Sequence, residues 1–314
     1  MRLIRGVHNL DLFTSGCVAT IGNFDGVHLG HRELIAHLDQ KKAELGLPSL
    51  VMIFEPQPLE FFQPESAPAR LMTLRDKVEA LKECGVDYVV CMNFDQKFRS
   101  LTAAEFVQQI LIDGIQVKHL VIGDDFRFGS DRSGDFHYLQ KKGKDFSFNV
   151  ANTPTVKVED LRVSSTQIRA FVAAGDFDSA ARFLGRPYTI SGKVVYGDQI
   201  GRTINVPTAN VRSKRLKLPI AGVFAVTVEG ITEKPLLGVG NVGKRPTVNG
   251  TENRIEIHLL DYAGDLYGCR LRVNFKKKIR AEKKFDGLDA LKQAIQEDIA
   301  QARSFFNNEA SQNS

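Results

Sequence analysis

Hydrophobic positions in the first half of the chain form short runs that alternate with amphipathic stretches. The runs predict strands over residues 18–22, 50–54, 88–94 and 120–123. The stretches between them predict helices over 31–45, 74–84 and 103–112, and Thr102 with Glu105 forms a capping box before the last. Regular alternation of strands and helices predicts an α/β fold with a doubly wound parallel sheet.

The pattern changes after Gly185-Arg186-Pro187. From Thr189 to Arg280, apolar runs are separated by glycine and proline, with no convincing helical pattern between them. These runs predict strands over 190–196, 223–228, 236–242, 255–260 and 271–275, a spacing typical of a small antiparallel β-barrel. An apolar stripe predicts a C-terminal helix over 288–305. We therefore expect two domains, residues 1–186 and 187–314.

Composition and charge narrow the classes of function. The net charge of +5 over 314 residues suits anionic substrates such as nucleotides, but it is too small and dispersed to predict nucleic-acid binding. No apolar run approaches the length of a membrane span, and the first residues do not resemble a secretory signal. The four cysteines form no CxxC pair, which argues against zinc and fits reduced thiols. We expect a cytoplasmic monomer or weak oligomer without membrane or nucleic-acid partners.

The segment TIGNFDGVHLGH, Thr20–His31, places two histidines between the first predicted strand and the first predicted helix. Open α/β sheets bind ligands at the carboxyl ends of their strands, and helix N-termini attract phosphate. Gly22 and Gly30 allow close backbone approach to a ligand. The imidazoles of His28 and His31 can then donate hydrogen bonds to a triphosphate. The alternative is that they are an ordinary loop residue and a helix cap.

The segment VSSTQIRAF, residues 163–171, supports a phosphate site. It places three hydroxyls at the start of a predicted helix. Arg169 follows one turn later, on the same face as Ser165. Plain N-capping by a serine is the alternative.

The segment GDDFRFG, residues 123–129, directly follows the fourth predicted strand. Phe126 and Phe128 can flank a planar ring, while Arg127 and the aspartates can hold the ring's polar groups. An aromatic loop that packs on the core has the same sequence pattern.

Two segments of the second half suit phosphoryl transfer. In GRTINVPTAN, residues 201–210, Thr208 and Asn210 point to the same side of an extended chain. Their neutral oxygens suit Mg²⁺, which commonly completes its shell with water and substrate phosphates. A polar turn that caps its own backbone is the alternative.

In RIEIHLLDY, residues 254–262, Glu256 and His258 occupy the polar face of an alternating strand. A kinase needs a carboxylate to accept the proton of the attacking hydroxyl. The alternative is an ordinary half-buried strand with one solvent-exposed face, which shows the same pattern. No Walker A motif occurs, and the glycine-rich SGKVVYGDQIGR, residues 191–202, can cover phosphates instead.

The motifs of the first half, with FEPQP at 54–58, resemble the adenylyltransferase half of the bacterial bifunctional riboflavin kinase/FAD synthetases. HxGH with SSTxxR is common to many nucleotidyltransferases, whereas GNFDGVHLGH with GDDFRFG is much more specific to flavin. The resemblance implies a Rossmann-like nucleotidyltransferase domain with His28, His31 and Arg169 as catalytic residues. It also implies an ATP-binding set and a flavin-binding set. These are Gly22, Asn23, Phe24, Gly26, Gly30, Ser164, Ser165 and Thr166 for ATP, and Asp124, Asp125, Phe126, Arg127 and Phe128 for the flavin.

The second half resembles the riboflavin kinase module of the same enzymes. The matching segments are SGKVVYGDQIGRTINVPTAN, GVFAV, GVGNVGKRPTV, IEIHLLDY with DLYG, and KKIR followed by KF. The resemblance implies that Glu256 is the catalytic base and that Thr208 and Asn210 meet Mg²⁺ and the ATP phosphates. The implied binding residues for ATP and flavin are Gly192, Lys193, Gly197, Gly201, Arg202, Pro207 and Arg245. Small departures from the family pattern, at Val163, Asn205, Val206 and Phe224, remove none of the implied catalytic groups.

The expected function is phosphorylation of riboflavin to FMN and adenylylation of FMN to FAD, with ATP as co-substrate and Mg²⁺ as cofactor. Riboflavin, FMN and ATP are then the small-molecule partners. One alternative is a single-activity enzyme with a degenerate half. A second is a transferase that adenylates a phosphopantetheine, which leaves the barrel motifs unexplained. A third is a flavin-sensing regulator, which should contain a helical DNA-binding module that this sequence does not predict.

Overall fold

The computed structural model describes residues 1–6, 9–10, 12–197, 206–247 and 250–312. The chain divides into two compact units, one of residues 1–68 and 74–165 and the other of residues 69–73 and 166–314. Residues 166–186 thus group with the second unit by their contacts. The domain boundary between residues 186 and 187 stays a prediction.

A six-stranded parallel sheet forms the centre of the first unit, with strand order β1-β4-β3-β2-β5-β6. The chain builds β3 and β4 on one side of β2, and then β5 and β6 on the other side. This reversal between β2 and β5 confirms the predicted doubly wound, Rossmann-like sheet. The strands are β1 (Arg2–Arg5), β2 (Cys17–Ile21), β3 (Ser49–Glu55), β4 (Tyr88–Asn93), β5 (Val117–Gly123) and β6 (Asn149–Thr153).

The helices of this unit include the three that were predicted. They are α1 (Leu29–Leu45), α2 (Pro58–Phe62), α3 (Leu74–Glu83), α4 (Gln96–Arg99), α5 (Ala103–Glu105) and α6 (Phe136–Phe146). The predicted capping box is present, because the Thr102 hydroxyl accepts the Glu105 N–H at 3.2 Å and the Glu105 carboxylate accepts the Thr102 N–H at 2.8 Å. Beyond α5 the chain continues as a π-helix over Phe106–Ile112. A two-stranded hairpin, β7 (Lys157–Val158) and β8 (Leu161–Arg162), follows β6.

Two strands of the sheet, β1 and β6, were missed by the hydrophobic pattern because both lie at sheet edges. β1 pairs with β4 and β6 pairs with β5. Each edge strand contains exposed and half-buried polar residues, such as Arg2, Arg5 and Asn149. An edge strand takes its register from one neighbour, so its own sequence needs little apolar alternation.

The second unit contains a closed antiparallel barrel with order β10-β13-β12-β11-β14-β9, closed by pairing of β9 with β10. All five predicted strands are present, and the small antiparallel barrel is confirmed. The sixth strand, β10, escaped prediction because it is four residues long and follows Pro207 closely. The strands are β9 (Thr189–Val195), β10 (Ala209–Arg212), β11 (Gly222–Glu229), β12 (Leu236–Thr247), β13 (Gly250–Leu259) and β14 (Arg270–Arg280).

The second unit also contains helices, of which the second and third in chain order pack against the barrel. They are α7 (Ser165–Ala174), which begins at the last residue of the first unit, α8 (Phe177–Leu184) and α9 (Leu288–Gln312). At the start of α8, the ring of Phe177 contacts the rings of Phe224 and Phe275, each with centroids 5.7 Å apart. The predicted C-terminal helix is confirmed as α9. Its Asp298 is buried and accepts two hydrogen bonds of 2.8 Å from the Arg280 guanidinium, which ties α9 to β14.

Candidate functional sites

The two histidines of the first motif form the N-terminal cap of α1. Nδ1 of His28 accepts the His31 backbone N–H, and Nδ1 of His31 accepts the His28 N–H, both at 3.3 Å. Their rings stack, with centroids 3.6 Å apart and planes inclined by 16°. Because both Nδ1 atoms act as acceptors, each neutral ring carries its proton on Nε2, which makes Nε2 the donor. Helix capping and ligand binding are therefore compatible roles for the same rings.

The backbone between β2 and these histidines follows an unusual path. Phe24, Gly26 and Val27 have φ values of 47°, 96° and 40°, in the left-handed region that L-residues seldom adopt. Two side chains fix this turn: Lys77 of α3 donates to the Asn23 carbonyl, and the Ser165 hydroxyl donates to the Asp25 carbonyl at 2.7 Å. The second contact places Ser165, the middle residue of the SST segment, directly against the turn. We call residues 22–31 the histidine turn.

Glycines leave room for the rings of the histidine turn. A Cβ atom on Gly22 would lie 3.2 Å from the Phe24 ring, and one on Gly30 would lie 3.3 Å from the His28 ring. The histidine turn follows β2, and the loop of residues 123–129 follows β5. Since the strand order reverses between these two strands, both segments lie where open α/β sheets bind ligands.

The aspartates of the 123–129 loop are held by the segment that precedes α7. Nη2 of Arg162 donates to Asp124 at 3.1 Å and to Asp125 at 3.0 Å. The Thr155 hydroxyl donates to Asp124 at 2.7 Å. Arg162 and Thr155 are absent from the predicted site residues, because they lie 31 to 38 residues further along the chain and no local pattern connects them to this loop.

The phenylalanines of the same loop lie against each other. The rings of Phe126 and Phe128 are stacked with centroids 5.6 Å apart and an angle of 24° between planes. No third ring fits between them, so a planar ligand would meet the half-buried Phe126 from outside the pair. Arg127 turns back and donates to the Phe126 carbonyl at 3.1 Å. The aromatic contacts continue from Phe128 through Phe106, Phe98 and Phe94 to Phe54 at the end of β3.

The other two residues of the SST segment lie on either side of Ser165, the first residue of α7. Ser164 precedes the helix, and Thr166 lies in its first turn. Arg169 lies one turn further, four residues after Ser165, and its Nε donates to the Ala69 carbonyl at 2.7 Å. This bond fixes the direction of the guanidinium.

In the barrel, the predicted base and one predicted metal-binding residue are direct neighbours. Asn210 of β10 is the antiparallel partner of Glu256 on β13, and such partners point to the same face with Cβ atoms about 5 Å apart. On the other side of β13, Glu256 is paired with Asn241 of β12. The three half-buried polar side chains form a row across three strands. Asn241 was missed, although a polar residue within the glycine-rich GVGNVG is a usable signal.

Two further side chains of β13 make contacts that hold Glu256 and the segment before Thr208 in place. Nη2 of Arg254 lies 2.6 Å from Oε1 of Glu256, whose side chain is 15% exposed. Nδ1 of His258 lies 2.9 Å from the Pro207 carbonyl. Because a carbonyl only accepts, His258 donates here and ties β13 to the segment just before Thr208. Arg254 was missed, although it lies two residues from Glu256 and therefore on the same face.

Two glycines of the predicted kinase set pack closely against β10. A Cβ atom on Gly197 would overlap the side-chain amide of Asn210, and one on Gly192 would lie 2.5 Å from the Arg212 carbonyl oxygen. Lys193 is exposed and pairs in register with Arg212. Gly201 and Arg202 of the predicted set lie outside the described residues, and so does the side chain of Arg245.

The donors next to Glu256 suit a hard cation. Thr208 and Asn210 provide a hydroxyl and an amide oxygen two residues apart, and Mg²⁺ accepts such neutral oxygens together with phosphate oxygens and water. Within the described part of the chain, no group of three or more His, Cys, Asp or Glu side chains is arranged to hold a metal ion. In the same part, no helix combines the length and the apolar character needed to cross a membrane.

Comparison with known proteins finds similarity over both units. The family model for FAD synthetase matches residues 11–167, and the model for riboflavin kinase matches residues 184–306. A bifunctional riboflavin kinase/FMN adenylyltransferase of Pseudomonas fluorescens is 53% identical over 305 residues, with 97% of each chain covered. The protein of the same description from Escherichia coli (strain K12) is 51% identical over 307 residues, with 98% of each chain covered.

The fold also matches a solved structure over nearly its whole length. A crystal structure from Streptococcus pneumoniae, described as a macrolide-efflux protein, superposes with a TM-score of 0.78 at 31% identity. The match covers 96% of this chain and 99% of that one. The parallel sheet and the barrel therefore occur together, in this order, in another chain.

Proposed function

The chain belongs to the family of bifunctional riboflavin kinase/FMN adenylyltransferases, and we propose that it makes FAD from riboflavin in two steps, each consuming one ATP. The barrel phosphorylates the ribityl 5′-hydroxyl to give FMN. The unit with the parallel sheet then adenylylates FMN and releases pyrophosphate. The observation that best supports two activities is that Glu256 and the histidine pair lie in different compact units.

In the kinase step, Glu256 acts as the general base. Its carboxylate takes the proton of the 5′-hydroxyl while the hydroxyl oxygen bonds to the γ-phosphorus of ATP. The bond between that phosphorus and the β,γ-bridging oxygen breaks, and ADP leaves. Arg254 holds one carboxylate oxygen at 2.6 Å and thereby orients the base. Most of the rate gain comes from positioning and electrostatic stabilisation, because the protein takes little covalent part in phosphoryl transfer.

Thr208 and Asn210 are the residues that would hold Mg²⁺ beside the ATP phosphates. When bound, the ion neutralises charge on the phosphate oxygens. The protein contributes the position of Asn210 next to Glu256, set by the register of β10 and β13. The tie between His258 and the Pro207 carbonyl fixes the backbone just before Thr208.

Gly197→Ala is expected to impair the kinase selectively. The added Cβ displaces the Asn210 amide, which lies where that atom would be placed. Misplacement of this kind lowers kcat/KM for riboflavin phosphorylation by roughly 10- to 100-fold. Adenylylation of added FMN, measured on the same preparation, stays at the wild-type rate. An unchanged kinase rate would show that Asn210 is not needed at its observed position.

In the adenylyltransferase step, a phosphate oxygen of FMN attacks the α-phosphorus of ATP. The bond from this phosphorus to the α,β-bridging oxygen breaks, and pyrophosphate leaves. The nucleophile is already an anion, so no general base is required. His28 and His31 would donate from Nε2 to the charge that builds up on the phosphates, and Arg169 would neutralise part of it.

The hydroxyls of the SST segment divide between two roles. Ser165 donates its proton to the Asp25 carbonyl, so we assign it to alignment of the histidine turn rather than to donation toward phosphate. Ser164 and Thr166 remain the proposed hydroxyl donors to ATP. Gly22, Asn23, Phe24, Gly26 and Gly30 contribute to ATP binding through the backbone shape of the turn.

The flavin ring of FMN is assigned to the 123–129 loop. Phe126 provides an aromatic face, and Phe128 supports it from the buried side. Asp124 and Asp125 are kept in place by Arg162 and would accept hydrogen bonds from the polar edge of the ring.

The proposal is tested by incubating the purified protein with riboflavin, ATP and Mg²⁺ and separating the flavins by chromatography. FMN is expected first and FAD second, and EDTA in place of Mg²⁺ is expected to suppress both. FMN without FAD would mean that the first unit is inactive or serves another substrate. Absence of turnover would favour a flavin-sensing role.

The cellular setting is also a proposal. Cys17, Cys84, Cys91 and Cys269 are reduced cysteines, outside any disulfide, which agrees with a reducing cytoplasm. A monomer or weak oligomer, with no nucleic-acid or membrane partner, remains the expectation.

A further inference from the structure

Lys77 is a buried charged residue that has no role in either reaction step described above. It lies on α3 and has 0% of its surface exposed. Lysine is almost never fully buried without a partner, because removal of its ammonium group from water is costly. A buried lysine therefore calls for an explanation from its contacts.

The Lys77 ammonium donates to the backbone carbonyl of Asn23, 54 residues earlier in the chain. Asn23 is the second residue of the histidine turn and directly precedes the first left-handed residue, Phe24. In a trans peptide the C=O and the next N–H point in opposite directions. The bond from Lys77 therefore sets the direction of both groups in the peptide between Asn23 and Phe24.

This peptide controls the position of a ring that touches the histidine pair. Phe24 is 1% exposed, and its ring centroid lies 4.7 Å from that of His31. His31 in turn stacks on His28. A continuous chain of contacts thus leads from Lys77 through the Asn23 carbonyl and Phe24 to both imidazoles. Two residues after Asn23, the bond from Ser165 to the Asp25 carbonyl holds the same turn at a second point.

We infer that Lys77 is a positioning residue of the adenylyltransferase, which holds the histidine turn in the shape that receives the ATP phosphates. The inference rests on the proposed role of the turn in adenylyl transfer. Lys77 does not touch the reacting atoms. Its ammonium fixes the Asn23 peptide and, through Phe24, the rings that donate to the phosphates.

The test compares Lys77→Met with Lys82→Met, since Lys82 lies on the same helix but is exposed. Methionine keeps most of the side-chain length and removes both the charge and the donor. In Lys77→Met, kcat/KM for ATP in FMN adenylylation should fall roughly 10- to 100-fold, the loss expected for a charged hydrogen bond. KM for FMN and the rate of riboflavin phosphorylation should stay unchanged, and Lys82→Met should match the wild type.

A merely structural role gives a different result. It lowers the melting temperature or the yield of active protein, but leaves KM for ATP and kcat per folded molecule unchanged, which would overturn the inference. An equal rise in KM for ATP and for FMN would also overturn it, because the effect would then not be specific to the turn.

If Lys77→Met fails to fold, Lys77→Gln replaces it, because glutamine is smaller, retains a donor and lacks the charge. The same ATP-selective loss is expected, smaller than for methionine, and an unchanged KM for ATP with unchanged kcat again contradicts the inference. Failure of the proposed function itself is distinguishable, since the wild-type protein would then form no FAD from FMN and ATP.

Discussion

Glu256→Gln is expected to abolish conversion of riboflavin to FMN and to leave conversion of added FMN to FAD intact. Glutamine keeps the shape of the side chain and can still accept from Arg254, but it cannot take the proton of the attacking hydroxyl. Loss of a general base typically lowers the rate by about 10²- to 10⁴-fold. Separate assays with riboflavin and with FMN as starting flavin measure the two activities on one preparation.

Glu229→Gln is the matched control for this variant. Glu229 lies on β11 of the same barrel and accepts from Asn274 at 2.7 Å, an interaction that glutamine can retain. Its kinase activity should equal that of the wild type. Retention of riboflavin phosphorylation in Glu256→Gln would contradict the assignment of the base. Loss of both activities with an intact circular dichroism spectrum would contradict the division of labour between the two units.

The sequence was sufficient to predict those strands and helices in which the spacing of apolar residues matches the positions that the fold buries. The central strands β2, β3, β4 and β5 and most barrel strands have such patterns. The edge strands β1 and β6 do not, because they depend on a single neighbour. The hydrophobic pattern also could not distinguish the π-helix over Phe106–Ile112 from an α-helix, since its buried positions fit an α-helical stripe as well.

For the sites, sequence reasoning identified residues but not the partners that orient them. The alternation in RIEIHLLDY placed Glu256 on a polar face, but its neighbours Asn210 and Asn241 depend on the register of three strands. Long-range contacts have no local signal at all. Lys77, Arg162 and Thr155 reach across 31 to 54 residues to the segments they hold.

The histidine pair requires a variant that separates capping from donation to phosphate. In the structure each Nδ1 caps α1, so replacement of both histidines by alanine removes the cap as well and costs stability, about 1 kcal/mol for a lost N-cap. His28→Asn with His31→Gln avoids this problem. Asparagine is a good N-cap residue, and glutamine is suited to the third helical position of a capping box.

The Asn/Gln double variant is expected to lose adenylylation of FMN by roughly 10²- to 10⁴-fold, because removal of one preorganised donor to a developing charge already costs about 10²- to 10³-fold. Its helix cap, melting temperature and riboflavin kinase activity should stay close to wild type. His37→Gln, at a partly exposed position of α1, is the matched control and should behave as wild type.

The outcome decides between the two interpretations of HLGH that the sequence left open. If the Asn/Gln double variant adenylylates FMN at the wild-type rate, the histidines only cap α1, and the phosphate donors must lie elsewhere. If it loses adenylylation while α1 stays intact, capping alone does not explain the pair. The reciprocal Nδ1 bonds would then have a second consequence, which is to fix the proton of both rings on Nε2 and so make Nε2 the donor toward the phosphates.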